Sequence, residues 1–426
     1  MITLHMRDFT FPAGFRWGTA TSAHQVEGNN VHSDWWVWEQ QPGRIRHGDR
    51  SGLACNWWAA AEADFDRAAG LHQNAHRLSI EWSRVEPQPG RWDEEALNRY
   101  RQMLRALHAR GIEPMVTLHH FTNPWWFAQR GGWERADAPS LFLRYVERVV
   151  PALGEYVPIW CTLNEPVGWV VSAYVTGRWP PGRRSLPAAL RVLGNLVRAH
   201  AGAYRAIHRL LPQAQVGLAH YLRIFDPADG RSRLDRAVAA AQDRFVNRAF
   251  LDAVTAGRVR AFPWVVDIPE AAETLDFVGV NYYTRDVVAF DLRAPHRLFG
   301  RNFLNPHAPH SDGGYGEIYP DGMYRALRLA QEYGRPVYVT ENGLPDEDDD
   351  QRGDFILSHL RAVRQAMQEG VDVRGYYHWS LVDNFEWVDG WSLRFGLIAI
   401  DRHTQERRPR ASAGLYGEIC RRNALP

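Results

Sequence analysis

The chain has 426 residues, a formal net charge of +1 and 45% hydrophobic side chains. That is enough apolar material for one elaborate α/β barrel or for two or three smaller domains. The near-zero charge argues against a nucleic-acid or polyanion binder. No apolar run reaches the ~20 residues that cross a bilayer, and Cys55, Cys161 and Cys420 have neither metal-ligand spacing nor a disulfide framework.

Residues 1–12 carry no basic segment followed by an apolar one, so no leader is expected and a cytoplasmic location is the default. All 50 cationic side chains are Arg, a compositional bias to which no function attaches. No linker or break in composition divides residues 1–426, and a single domain is expected. Residues 183–187 and 346–350 read as surface loops, the second as a solvated charge run.

The first strand candidate, residues 16–21, leads into Ser22-Ala23-His24-Gln25. It does not lead into a Gly-x-Gly-x-x-Gly phosphate turn, which weakens a doubly wound nucleotide-binding sheet. Residues 75–81, 113–119, 159–163, 215–219, 277–281, 336–340 and 374–379 complete a set of eight. Most are continuous apolar runs, the pattern of parallel strands covered on both faces. Helical periodicity over 94–110, 140–153, 190–211, 234–255, 321–333 and 353–368 separates them. Gly111, Gly334 and Gly370 stand where helices should stop before the next strand. Eight strands alternating with helices predict the α/β class and a (β/α)8 TIM barrel.

In such a barrel, chemistry gathers at the C-terminal ends of the strands. The polar residues there are, in chain order, Gln25 and Glu27; Glu81; His119 and His120; Asn164 and Glu165; Asn281 and Tyr283; Glu341 and Asn342; Asp383 and Glu386. Neighbouring strand residues point to opposite faces, so His119 and His120 do not readily share an ion. No metal or other cofactor is expected, and His119 reads as a packed histidine. Glu81 and Arg84 read as an ordinary loop ion pair. Trp35, Trp36 and Trp38 serve equally well as cleft lining or as core under a long loop.

Glu165 and Glu341 matter most. They close the fourth and seventh strands, which face one another across a barrel mouth. Two carboxyl groups flanking one bond are what glycoside hydrolysis requires. One attacks the anomeric carbon; the other protonates the leaving oxygen and later deprotonates water. A separation of ~5–5.5 Å gives retention and ~6.5–9.5 Å gives inversion. An ionised Glu341 would keep Glu165 protonated by like-charge repulsion, and that repulsion ends when the sugar esterifies Glu341.

On these residues the chain resembles glycoside hydrolase family 1, the β-glucosidase/β-galactosidase group. The likeness runs from Phe11-Pro12-Ala13-Gly14-Phe15-Arg16-Trp17-Gly18 to Arg394-Phe395-Gly396-Leu397. The Thr-x-Asn-Glu-Pro motif of the acid/base stands at Thr162 to Pro166, and the Thr-Glu-Asn-Gly motif of the nucleophile at Thr340 to Gly343. A late signature reads Trp379-Ser380-Leu381-Val382-Asp383-Asn384-Phe385-Glu386-Trp387.

The resemblance implies roles. Glu165 is the acid/base and Glu341 the nucleophile of a retaining exo-β-glycosidase. Gln25 and Glu386 hold the 3- and 4-hydroxyls, His120 the 3-hydroxyl and Asn164 the 2-hydroxyl. Trp379 floors the glycone and Trp387 reaches hydroxyls through its indole N–H. Arg77 and Tyr283 orient Glu341, Asn281 supports the cluster, and Phe395 encloses the 6-position. The expected partners are small β-glycosides or short oligosaccharides, with no nucleic acid and no membrane. Glu386 and the lack of Lys speak against the phosphosugar branch, and Glu165 against the thioglucosidase branch, where Gln replaces it.

Three positions depart from the family pattern. Phe121 and Val167 replace common Trp residues, and the Gly-Trp-Glu leaving-group platform reads Gly314-Tyr315-Gly316-Glu317. Gly316 takes the Trp position unless Tyr315 substitutes for it. A more open acceptor side with looser aglycone selection is therefore expected. A transglycosylase using the same intermediate and a non-catalytic sugar-binding barrel are the alternatives.

Overall fold

Buried on both faces, the apolar runs pair side by side into a closed parallel barrel. The computed structural model describes residues 9–261 and 264–426, so residues 1–8 of the segment read as leaderless lie outside it. The strands are β1 (Arg16–Ala20), β2 (Ala75–Ser79), β3 (Glu113–His119), β4 (Ile159–Asn164), β5 (Gln215–Tyr221), β6 (Phe277–Asn281), β7 (Val337–Asn342) and β8 (Val373–Trp379). Each pairs with its sequence neighbours, and β1 closes the ring against β8 with Arg16 opposite Gly375 and Ala20 opposite Trp379. Ala75, Met115, Ile159, Ala219, Phe277 and Tyr377 pack inside the barrel, and an Arg16–Glu113 ion pair joins the N-terminal ends of β1 and β3.

The helices that cover the barrel show why they form. α1 is Trp57–Gly70 and α2 is Glu94–His108. Asp93 caps α2 by accepting from the Ala96 N–H at 2.9 Å, and Glu94 and Glu95 complement the helix dipole. Its buried stripe, Leu97, Tyr100, Leu104 and Leu107, follows the helical period. α3 (Ala138–Leu153) and α4 (Leu186–Leu210) follow. α5 runs as Arg233–Asp243, a π turn over Arg244–Arg248, and Ala249–Ala256. α6 (Pro320–Gln331), α7 (Arg352–Gln368) and α8 (Ala411–Arg422) complete the shell. Gly111, Gly334 and Gly370 adopt positive φ just past helix ends, as their spacing predicts.

Two departures from the regular barrel position the site. The β4 ladder slips between Cys161 and Asn164, and the β7 ladder slips between Val339 and Asn342. These irregularities lie directly beneath Glu165 and Glu341, where a bulge re-aims side chains. Over the mouth lies a small sheet of Ile224–Pro227, Arg285–Phe290 and Gly300–Phe303, which the strand reading did not anticipate.

Two local readings need correction. Asp346 is buried, not solvated, because its carboxylate accepts from the N–H groups of Asp349, Gln351 and Arg352 and so closes the turn into α7. Arg84 pairs with Glu27 at 2.7 Å rather than with Glu81, which instead caps the next turn through Ser83. Among the described residues no helix is long and apolar enough to cross a membrane.

Candidate active site

Glu165 sits one residue past β4 with φ +44°, at the start of the short helix Pro166–Val170. A left-handed backbone is costly for a non-glycine residue and is held here by its N–H donating to Ala219 O at 2.7 Å. Its Oε1 accepts from Asn281 Nδ2 at 2.8 Å. Glu341, buried within β7, accepts from Arg77 Nη1 at 2.5 Å on one oxygen and from the Tyr283 hydroxyl at 2.7 Å on the other. Arg77 also donates to Asn164 Oδ1 at 2.6 Å, and Asn281 Nδ2 reaches the same oxygen at 3.1 Å. Thr340 fixes the Asn281 amide by donating to its Oδ1 at 2.7 Å. One unbroken hydrogen-bonded chain thus joins the two carboxyl groups: Glu165, Asn281, Asn164, Arg77, Glu341.

Burial pushes the Glu165 carboxyl up to about 8, and the charge of Glu341 adds to the rise. Burial is the largest influence on Arg77 and opposes its charge, but Glu341 together with Cys161 and Tyr283 more than offsets it and raises the guanidinium above its ordinary value. At neutral pH this leaves one carboxyl that keeps its proton beside one engaged by a cation and a hydroxyl.

Both carboxyl groups open into a cavity of about 460 Å³, which Gln25, His120, Tyr283, Trp379, Glu386, Trp387 and Phe395 also line. Trp379 donates its indole N–H to Glu386 at 3.2 Å; burial nevertheless raises that carboxyl to about 8. The His120 ring lies nearly parallel to Trp379 and Trp387, at 6.0 and 6.1 Å. Asn164 Nδ2, which can only donate, faces His120 Nε2 at 3.2 Å, so the ring proton sits on Nδ1, which has no partner among the described residues. Burial, then the charge of Arg77, keeps His120 neutral. Gln25 accepts from Ser22 and donates to Asn384 and the Phe385 carbonyl, so its amide is fixed. Arg77, Asn164 and Asn281 lie beneath this lining rather than in it.

Residues 7–425 match the profile of Glycosyl hydrolase family 1. The chain belongs to this family. It is 33% identical to β-glucosidase A of Thermotoga maritima, over 97% of this chain and 98% of that one. It is 30% identical to a β-galactosidase of Pyrococcus woesei, over 97% and 98%. Its fold matches a β-glycosidase from Pyrococcus horikoshii with a TM-score of 0.93 and 41% identity, covering 99% of this chain and 97% of the other. It also matches the Thermotoga maritima β-glucosidase in complex with glucoimidazole, with a TM-score of 0.93, 32% identity and coverage of 98% and 100%. The chain is accordingly a β-glycosidase, of a family whose general mechanism is retaining.

Against the family pattern, the altered positions take distinct places. Phe121, with φ +70°, packs on Trp179 and Trp387 at 4.8 and 5.2 Å, and Val167 is buried. A Cβ on Gly316 would come within 2.7 Å of Thr284, so no side chain fits there. Tyr315 lines the cavity instead, edge-on to Phe395 at 5.1 Å. His119 turns away to Asn123 and the rings of Trp133 and Trp169. Trp35 is core, packed on Trp179 and Trp387. Glu27 and Asp383, though at the rim in sequence, are engaged by Arg84 and Arg410. Asp346, Asp348 and Asp350 bring carboxylate oxygens within 4.8 Å of one another, but they do not line the cavity.

The strand-end rule missed Tyr221 and Arg223. They line the cavity because β5 runs on to Tyr221, two residues beyond the apolar run that marked it. Arg223 donates to the Tyr221 hydroxyl at 2.8 Å and to Asp286 at 2.7 Å.

Proposed function

We propose that this chain is a retaining exo-β-glycosidase that hydrolyses β-glucosides and also accepts β-galactosides and β-fucosides, using one catalytic domain over residues 1–426. Glu341 attacks the anomeric carbon while Glu165 gives its proton to the departing oxygen. Forming the ester removes the charge of Glu341. Glu165, left as a carboxylate by that proton transfer and no longer opposed by the Glu341 charge, takes a proton from the water that attacks the glycosyl-enzyme from the side the leaving group vacated. Net configuration is retained after two inversions.

Arg77 and Tyr283 each hold one oxygen of Glu341 and so aim it. Asn281 orients Glu165. Gln25 and Glu386, with His120 and Trp387, read the glycone hydroxyls over the Trp379 floor, and Phe395 closes the 6-position. Asn164 has its Oδ1 held by Arg77 and Asn281 and one amide N–H on His120 Nε2; its second amide N–H is the donor we assign to the 2-hydroxyl. The reaction calls for no metal or organic cofactor.

The observation that carries this reading is the pair of a half-buried Glu165 and a buried Glu341, joined through Asn281, Asn164 and Arg77, with a proton retained on Glu165. The test is a rate panel of p-nitrophenyl β-D-glucoside, galactoside, fucoside and mannoside, with the product anomer followed by proton NMR. Glucoside turnover with the β-anomer appearing first is expected. Initial release of the α-anomer, or no turnover of any of them, would sink the proposal.

A further inference from the structure

His24 and Gln25 are neighbours in the short helix Ala23–Val26 that follows β1, yet only Gln25 lines the cavity. His24 is buried outside that lining. Its ring runs nearly parallel to the Trp387 indole, with centroids 5.8 Å apart and planes 11° apart. Trp35 packs on the same indole at 4.6 Å and on His24 at 6.4 Å, and Phe385 meets the imidazole edge-on at 6.0 Å. These rings enclose the imidazole without offering it a hydrogen bond, and neither ring nitrogen has a partner among the described residues.

The charged group that faces His24 is Glu39, the last residue of the short helix Asp34–Glu39. Its Oε2 lies 3.7 Å from His24 Nε2, and both side chains are fully buried. Ser51 holds Glu39 as well, donating its hydroxyl to Oε1 at 2.8 Å and its N–H to Oε2 at 3.1 Å. A separation of 3.7 Å is too long for a hydrogen bond. A carboxylate out of water nevertheless acts strongly at that range and favours a proton on the nitrogen turned toward it, here Nε2. The imidazole is therefore oriented by an electrostatic contact on one edge and by stacked rings on its faces.

Trp387 needs such holding. Its φ is +53°, a left-handed backbone that is unfavourable for a bulky side chain, and it opens the single 3-10 turn Trp387–Asp389. No regular element sets the direction of its indole, so the rings packed against it must. We propose that His24 and Glu39 are a positioning pair for Trp387. Glu39 fixes the plane of the imidazole, the imidazole fixes the plane of the indole, and the indole N–H is thereby held where a glycone hydroxyl meets it. The inference rests on the glycosidase reading and adds to it two residues that do not line the cavity.

The experiment compares p-nitrophenyl β-D-glucoside with its 3-deoxy and 4-deoxy analogues in the wild type, His24→Phe, Glu39→Gln and the double variant. His24→Phe keeps a ring against Trp387 and gives up Nε2; Glu39→Gln keeps the shape and gives up the charge, so neither leaves a cavity. In the wild type, removing the hydroxyl that Trp387 reads leaves a buried N–H unpaired and lowers kcat/KM. In each single variant the ratio of parent to deoxy substrate should shrink by about fivefold. The loss falls on the parent glucoside, while the analogue lacking that hydroxyl keeps its wild-type kcat/KM. The double variant should be no worse than either single one, because both break one contact. General damage to the fold would slow all three substrates alike and leave the ratios unchanged. Unchanged ratios in either single variant, or additive losses in the double variant, would overturn the positioning pair alone. Failure of the wild type to cleave p-nitrophenyl glucoside would overturn the glycosidase reading and this inference with it.

Discussion

A carboxylic acid that must release a proton at neutral pH needs a cause to retain it, and Glu165 has two. Burial is the larger and the charge of Glu341 the smaller, opposed by the hydrogen bond from Asn281 and by Arg77. The acid form acts, so kcat/KM should hold on the neutral side and fall as pH rises through about 8. Glu341→Gln removes the second cause while keeping the shape. The variant should be inactive, and the Glu165 resonance in a carbon-13 titration should shift to lower pKa yet stay above the ordinary glutamate range. An unchanged value would mean that the Glu341 charge is not felt, and a fall to the ordinary range would mean that burial is not the dominant cause. Both carboxylates were legible in the sequence because strand-end polar residues betray a barrel mouth. Asn281 stood among the same strand-end residues and took only its role from the resemblance; Arg77 was placed by resemblance alone, since a buried arginine in an apolar strand has no periodic signature of its own.

At the level of elements, the loops after β7 and β8 pack without slack. A Cβ on Gly343 would lie 1.9 Å from the Trp379 carbonyl oxygen, which is backbone and cannot swing aside. Gly343→Ala must therefore part the ends of two strands, one carrying Glu341 and the other Trp379. We expect a stability loss of about 1–3 kcal/mol in urea unfolding, and a fall in kcat/KM of about a hundredfold from misplaced groups. Wild-type stability and rate together would show that the two loops are not in register-critical contact. All eight barrel strands were legible because residues buried on both faces read as continuous apolar runs. α1 was not, because it starts from Asn56 in the left-handed region and is broken at Ala60, with φ −141°, so no clean cap or period announces it. The π turn inside α5 and the sheet over the mouth were also invisible. A π turn has the composition of the helix around it, and short strands over a mouth are held by tertiary contacts such as Arg223–Asp286 rather than by pattern.

Across the whole molecule, two sets of buried groups pull stability in opposite directions with pH. Burial lowers His76 and His378 to about 3, and His119, His200, His220 and His359 to about 4, with His120 also well below its ordinary value. Between those values and about 6.5 the unfolded chain binds protons that the folded chain refuses, so stability rises with pH. Burial also raises Asp34 to about 7 and Glu165 and Glu386 to about 8, and it raises Glu27, Glu86 and Asp346 as well. Those acids keep protons in the folded state that the unfolded chain has lost. Their contribution is complete below the ordinary carboxylate range and disappears as pH climbs through the folded values. The histidines outnumber the strongly raised acids below about pH 6; above that range only the acids still titrate. Stability should therefore peak near pH 6.5 and decline toward pH 8, at roughly 1.4 kcal/mol per pH unit for each acid still protonated when folded. Urea unfolding at pH 5, 6, 7 and 8 measures this directly. Glu386→Gln, which removes one such acid and keeps its volume, should flatten the alkaline decline while glycone binding is lost. A stability that climbs steadily through pH 8 would show that Glu165 and Glu386 ionise in the folded protein below neutrality, and it would take with it the account of Glu165 as a proton donor.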